Sequence, residues 1–310
     1  GLFGYSNAFL YDITLTNMDF YVLTNNTHEL NVGVLAGHSG GTIIDCNTWG
    51  TNVIEIDGMT EGYVGGLVGS SGRYIRDSIA NTTIIIDGLN NERIDWQEVI
   101  VGGLTATHGY PLDTSSSSGT ITVTNASNVT YIVGGLVGRF FGNGSDTAPS
   151  TKIRNSYSTV DISTTNRGDG FAGGLVGLAQ YNAGILNCYA SGDVYSQRGD
   201  IGGLVGGEYV DVINSFYVGN LSFDSGYFDL LTQPRNVYYL ENNYTYEGST
   251  ITSDNGLVTP TADIFGVVMT ASEDDYNDAY DFYTRVLGWS EYFFNFDGLD
   301  IVNGVLPTHK

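Results

Sequence analysis

A tetrapeptide, Gly-Leu-x-Gly, recurs along this chain, most often in the longer form Gly-Gly-Leu-Val-Gly, and its near-constant spacing constrains the fold more than any single residue can. It occurs as Gly1-Leu2-Phe3-Gly4, Val34-Leu35-Ala36-Gly37, Gly66-Leu67-Val68-Gly69, Gly103-Leu104-Thr105-Ala106, Gly135-Leu136-Val137-Gly138, Gly174-Leu175-Val176-Gly177 and Gly203-Leu204-Val205-Gly206, with one glycine replaced in the second and fourth copies. Successive copies start 33, 32, 37, 32, 39 and 29 residues apart. That is the period of stacked supersecondary units, each unable to bury its apolar face alone, rather than of a single globular core.

A second signal keeps phase with the first. Six to ten residues after most copies comes an aliphatic residue, one further residue, Asn or Asp, and a small residue: Ile43-Ile44-Asp45-Cys46, Ile75-Arg76-Asp77-Ser78, Ile153-Arg154-Asn155-Ser156, Ile185-Leu186-Asn187-Cys188 and Val212-Ile213-Asn214-Ser215. The first copy is looser, Leu10-Tyr11-Asp12-Ile13. The fourth, assigned to Ile121-Thr122-Val123-Thr124, comes late and lacks the Asn or Asp. Short β-branched runs follow, such as Val53-Ile54-Glu55-Ile56 and Ile84-Ile85-Ile86, so each repeat reads as two or three short strands separated by turns. With 22 Tyr and only 5 Pro, composition also favours strands over helices.

Strand repeats of this length most simply wind into an all-β parallel β-helix, or β-solenoid, of about seven repeats. Leu2, Leu35, Leu67, Leu104, Leu136, Leu175 and Leu204 are then one predicted internal ladder. Leu10, Ile43, Ile75, Ile121, Ile153, Ile185 and Val212 are a second. The glycines before each Leu are expected where backbones pack closely or φ is positive. The Asn/Asp row is expected to bond turn backbone that the strand ladders leave unsatisfied. Cys46 and Cys188 fall at one repeat position four rungs apart, about 19 Å at a strand spacing of about 4.8 Å. A disulfide needs Cα atoms within about 7 Å, so both are predicted to be free, buried thiols.

On these paired motifs the chain resembles the GLUG-repeat family, named for its Gly-Leu-x-Gly motif and found in bacterial surface adhesins and beside the peptidase domain of some immunoglobulin-cleaving proteases. The resemblance spans roughly residues 1 to 245. It implies an extracellular, surface-attached setting and brings no catalytic residue with it.

The tail differs. Residues 273 to 287 place Tyr276, Ala279, Tyr280, Tyr283, Val286 and Leu287 at helical spacing behind an acidic first turn, with Gly288 just beyond. Trp289, Phe293, Phe294 and Phe296 precede an Asp297-Gly298 turn, completing a predicted helix-plus-hairpin. Two parts follow: a solenoid over 1–255 and a capping element over 256–310 that closes its open end.

Eleven basic against 34 acidic residues give a formal charge of -23, which opposes phosphate backbones and excludes a nucleic-acid partner. No apolar run reaches the 18 or so residues of a membrane helix. Seven sequons, at Asn25, Asn81, Asn125, Asn128, Asn143, Asn220 and Asn243, point to secretion and to N-glycosylation.

Catalytic patterns are mostly missing. Gly37-His38-Ser39-Gly40-Gly41 matches G-x-S-x-G, but sits in a repeat turn rather than between a strand and a helix. There is no H-E-x-x-H, and His28, His38, His108 and His309 lack metal-ligand spacing. Neither a catalytic residue nor a cofactor is expected. Calcium is the one candidate ion, at Asn295-Phe296-Asp297-Gly298-Leu299-Asp300, where oxygen-bearing side chains alternate without a full loop or its terminal Glu. The acidic run Glu273-Asp274-Asp275, with Asp278 and Asp281, reads as a solvated helix start.

The reading is a non-enzymatic structural and adhesive stalk, or fibre subunit, of a secreted or cell-surface protein. It self-associates head to tail or continues a longer stalk, with glycans or host-surface ligands as partners. Segments 109–119, 142–150 and 164–170 are taken as variable loops for contact. The alternative is a carbohydrate-binding or carbohydrate-active β-helix, with Trp49, Trp96 and Tyr110 as sugar-stacking candidates.

Overall fold

A computed structural model describes residues 1–24, 29–88, 97–124, 129–142, 152–165, 170–207, 210–229, 237–246, 248–253, 256–258, 268–272, 279–300, 303 and 305–310. The described residues are nearly all-β, in three large sheets whose pairings are parallel except where noted and a fourth sheet of two strands in the tail. The first sheet has six strands, beginning Phe3–Ser6, Ala36–Ser39 and Val68–Ser71 and ending at Val176–Gln180. The third has seven, from Leu30–Gly33 to Phe228–Asp229. The second is the broad face of 22 strands, in which each passage of the chain contributes two or three short pieces, such as Ile43–Trp49 and Val53–Met59. In the solenoid, strands pair with the equivalent strand one period away: Phe3 with Ala36, Ala36 with Val68, Val137 with Val176. Each circuit therefore visits the first, second and third sheets in turn.

The glycine motif is the corner between the third sheet and the first; none of its glycines has positive φ, and apart from Gly4 on the edge circuit they are required by close approach. A Cβ on Gly134 would strike the Val137 carbonyl, and one on Gly135 would strike the Gly174 carbonyl of the next circuit. A Cβ on Gly138 would lie 2.6 Å from the Val101 carbonyl oxygen. The leucine between them points inward: Leu35, Leu67, Leu104, Leu136, Leu175 and Leu204 are fully buried and linked by backbone bonds from Leu35 N to Leu67 O (2.8 Å) through to Leu175 N to Leu204 O (3.0 Å). Leu2, on the edge circuit, stays half exposed.

The second ladder needs one correction. Ile43, Ile75, Leu112, Ile153, Ile185, Val212 and Leu240 are in register, so Leu112 takes the place expected of Ile121, which pairs instead with Ile84 and Ile162. The fourth circuit carries the corner as Leu112-Asp113-Thr114-Ser115, with Thr114 at φ 47°. It escapes a search for Asn or Asp because a threonine holds the left-handed position. Segment 109–119 is accordingly no loop: Leu112–Asp113 and Ser116–Thr124 are strands, and Ser115, Ser116 and Ser117 are buried. Thr164 of the segment 164–170 is also buried in a strand, while 143–150 and 166–169 lie outside the described residues.

At the end of the chain the predicted helix is described as Ala279–Val286, wound with i to i+5 bonding at its end, where Leu287 N donates to Phe282 O at 2.9 Å. Residues 273–278, with most of the acidic run, lie outside the described set. Antiparallel pairs join Phe294–Asn295 to Thr308–His309 and Ile251–Ser253 to Gly256–Val258.

Candidate functional site

The Asn/Asp row turns a corner in the second sheet. Asp12, Asp45, Asp77, Thr114, Asn155, Asn187, Asn214 and Asn242 all have φ between 47° and 54°, the left-handed region that Asn and Asp tolerate best after glycine. From the fifth circuit on, the side chains bond to each other in place of the predicted bonds to turn backbone. Asn155 Nδ2 donates to Asp113 Oδ1 (2.9 Å), Asn187 to Asn155 (3.1 Å), Asn214 to Asn187 (3.3 Å) and Asn242 to Asn214 (2.9 Å). An amide can chain in this way because it both donates and accepts. A carboxylate cannot, and the row accordingly ends on Asp113, which is paired with Arg154 at 3.0 Å. In the earlier circuits Asp77 pairs with Arg76 at 2.9 Å, and burial pushes its carboxyl above the usual range despite that partner.

One residue further on, a buried row of small groups runs parallel. Cys46 N donates to Ser78 Oγ (3.2 Å), Ser78 N to Ser115 Oγ (3.2 Å), Ser115 N to Ser156 Oγ (3.1 Å) and Cys188 N to Ser215 Oγ (3.1 Å). Cys46 and Cys188 are free and fully buried, as the repeat position requires. Burial pushes the Cys188 thiol up to about 12.

The next residue faces outward, and here the two halves of the chain differ. Thr14, Asn47, Ile79, Ser116, Tyr157, Tyr189, Phe216 and Tyr244 share one register. Three of the last four stack, Tyr157 on Tyr189 at 4.8 Å and Tyr189 on Phe216 at 5.0 Å, and Tyr244 continues the register. The tail packs on this aromatic strip: Trp289 stacks on Phe216 at 5.3 Å, Phe282 meets Tyr244 edge-on at 5.1 Å, and His309 lies 4.7 Å from Tyr157. Polar bonds fix the seat. Tyr189 OH donates to Pro307 O (2.6 Å), Trp289 Nε1 to Asn214 O (2.8 Å), His309 Nε2 to Asn155 O (2.8 Å) and Asn242 Nδ2 to Val286 O (2.6 Å). The described residues of 279–309 thus lie along the flank of four circuits, while Val268–Ala271 pairs in parallel with Asn243–Tyr246 as a further strand at the end of the second sheet. The signal was present in the sequence as Asn155-Ser156-Tyr157, Asn187-Cys188-Tyr189, Asn214-Ser215-Phe216 and Asn242-Asn243-Tyr244.

Other expected sites fall as follows. Gly37, His38 and Ser39 lie in the strand Ala36–Ser39 rather than in a turn, with Ser39 buried and donating to Gly41 O and His38 stacked on Tyr5 at 5.0 Å, so G-x-S-x-G is no nucleophile elbow. Asp300 accepts from Asn303 N and Nδ2, and no three acids, His or Cys converge on a metal position among the described residues. Of the sequons, Asn220 is exposed and Asn81 half-buried, and Asn25, Asn125, Asn128 and Asn143 lie outside the described residues. Asn243 is a correction: it is fully buried and its Nδ2 donates to Val212 O at 2.7 Å, which leaves no room for a glycan. Trp49 and Tyr110 are exposed but not in ring contact; Arg73 sits 5.8 Å over the Tyr110 ring, and Trp96 is outside the described residues.

Residues 172–195, which span one glycine motif, its Asn corner and the strand after it, match the GLUG motif. The chain carries a GLUG repeat. Two similar proteins are immunoglobulin A1 proteases of Streptococcus pneumoniae: one, from strain R6, is 34% identical over 144 residues, 41% of this chain and 7% of that protein, and the other is 37% identical over 110 residues, 34% and 5%. Halomucin of Haloquadratum walsbyi is 31% identical over 186 residues, 56% of this chain and 2% of that protein. The GLUG-bearing chain therefore spans a small fraction of the length of these relatives. It shares its fold with the crystal structure of a candidate immunoglobulin A1 protease from Bacteroides ovatus, with a TM-score of 0.52 over 91% of this chain and 87% of that one at 16% identity. No helix among the described residues is long and apolar enough to cross a membrane.

Proposed function

We propose that this chain is a non-enzymatic β-solenoid of about seven repeats, residues 1–255, buttressed by a C-terminal element, residues 256–310, and that it serves as stalk or fibre subunit of a secreted or cell-surface protein. The observation that carries the reading is what the repeated residues do. Glycine, leucine, Asn and Ser or Cys all stack circuit on circuit, and none is presented to solvent as a reactive group. Similarity to segments of much longer proteins supports a modular role beside other domains.

The edge of the first circuit supports continuation of the stack, by a further repeat or by self-association. Among the described residues, strands Phe3–Ser6, Leu10–Thr16, Asp19–Leu23 and Leu30–Gly33 each pair on one side only, and Leu2, Tyr5, Phe9, Tyr11 and Leu23 are exposed beside them. An apolar sheet edge of this kind is a template for a further circuit, from a preceding repeat or another copy. A heterologous contact of that sort propagates as a filament. At about 4.8 Å per circuit, seven circuits rise about 34 Å, so stacked copies lengthen in steps of that size.

Negative-stain micrographs and light scattering across a concentration series test this reading. Rods growing in such steps are expected, and monomeric mass with isolated particles at every concentration would overturn the assembly. Immunoglobulin A1 incubated with the purified chain is expected to remain intact.

A further inference from the structure

We propose that the outer face of the second sheet, from the fourth circuit onward, carries a groove that binds a neutral glycan chain. The proposal rests on the adhesive reading above and names its ligand class. A concavity of about 370 Å3 runs across the strands Ser116–Thr124, Tyr157–Thr165, Val194–Arg198, Leu221–Ser225 and Ile251–Ser253. Register places its polar lining in two rows along the stacking direction. Thr122, Ser163 and Tyr195 belong to one, and Asp161, Asp193 and Asn220 to the other. The floor is the strand backbone at residues such as Ile162 and Val194, whose side chains are buried on the opposite face.

The groove is held in shape before any ligand arrives. Asp161 Oδ1 accepts Asp193 N at 2.9 Å, Asp193 Oδ1 accepts Asn220 N at 2.8 Å, and Asn220 Oδ1 accepts Thr250 N at 3.0 Å. The Tyr195 hydroxyl donates to the Asp224 carboxylate, at 3.3 and 3.4 Å to its two oxygens, which steadies the ring. Preorganised groups of this kind lose little entropy on binding.

Chemistry selects the ligand class. The lining contains no Lys or Arg, and the chain carries a formal charge of -23, so phosphorylated, sulfated and carboxylated ligands are repelled. A bound cation would need converging carboxylates, and no three acids converge among the described residues. What remains is a shallow, open channel that offers carboxylate and amide acceptors, hydroxyls that donate and accept, and one aromatic ring. Those groups match the hydroxyls and the apolar faces of uncharged sugars.

Affinity electrophoresis of the whole chain through gels containing hydroxyethyl cellulose, laminarin, mannan or dextran tests the proposal, with hyaluronan as the anionic arm and a lysine-rich peptide, followed by fluorescence anisotropy, as the cationic one. At least one neutral polysaccharide should retard the protein. Tyr195→Ala should weaken that binding about tenfold or more, as loss of an aromatic anchor does; Tyr195→Phe, which keeps the ring but loses its bond to Asp224, should weaken it less, and the distant Trp49→Ala should leave it unchanged. Should Tyr195→Ala prove unfolded by circular dichroism, the double variant Asp161→Ala, Asp193→Ala decides in its place. Retardation by none of the four neutral polymers, retardation that survives the groove variants, or binding confined to hyaluronan or the peptide overturns the proposal. Rods in micrographs together with no glycan binding would sink this site and leave the stalk standing.

Discussion

Truncating Leu136 to alanine should cost between 3 and 5 kcal/mol, estimated roughly from large-to-small core substitutions, and its position explains why the upper half of the usual range applies. The side chain is fully buried at the centre of the leucine row, its backbone bonded to Leu104 on one side and Leu175 on the other. Losing three carbons from a buried position removes roughly 2.4 kcal/mol of transfer free energy at about 0.8 kcal/mol per methylene. The cavity then adds to this as far as the walls cannot collapse. Here the walls are strands pinned in parallel register and glycine corners already at closest approach, so little collapse is available. Leu2→Ala is the internal control: the same chemistry, half exposed on the edge circuit, should cost below about 1 kcal/mol. Urea unfolding followed by circular dichroism measures both, with the slope checked because stacked repeats lose cooperativity when one circuit is weakened. Equal, small losses from Leu136→Ala and Leu2→Ala would refute the assignment of the motif leucine to a rigid internal ladder.

Three further outcomes are expected. Asn187→Ala should destabilise by about 2 to 4 kcal/mol, combining left-handed strain at φ 54° with the loss of two amide bonds; Asn187→Gly, which removes only the bonds, should cost about half as much, and equal costs would dismiss the strain contribution. Neither Cys46 nor Cys188 should react with iodoacetamide at pH 8 in the native protein, and both should react in denaturant; a cross-linked Cys46 to Cys188 peptide would contradict the register. Burial holds both His108 and His309 down to about 4, so the folded state binds fewer protons than the unfolded chain between about pH 6.5 and pH 4. The stability they contribute is present above about 6.5 and is lost as pH falls towards 4. The melting temperature should drop across that window, and the double variant His108→Gln, His309→Gln should drop less; identical profiles would remove these histidines as the cause.

The sequence alone determined the fold class, the glycine corner, the leucine row and the state of both cysteines, because each depends on a contact repeated at fixed period. Stacking multiplies a local preference into a pattern that can be read without knowing which way the chain turns. What it left open depended on contacts made only once. Ile121 and Leu112 are both aliphatic residues near the expected position, and only the pairing of whole strands, with Thr114 accepting a left-handed corner, chose between them. Asn243 carries a sequon, yet its accessibility was set by neighbours in the adjoining circuit. The tail was legible as helix and aromatic hairpin, but its destination was not. An amphipathic segment declares that it will bury one face without saying against what, and the matching strip of Tyr157, Tyr189, Phe216 and Tyr244 exists only once residues about 30 apart in sequence are stacked 5 Å apart in space.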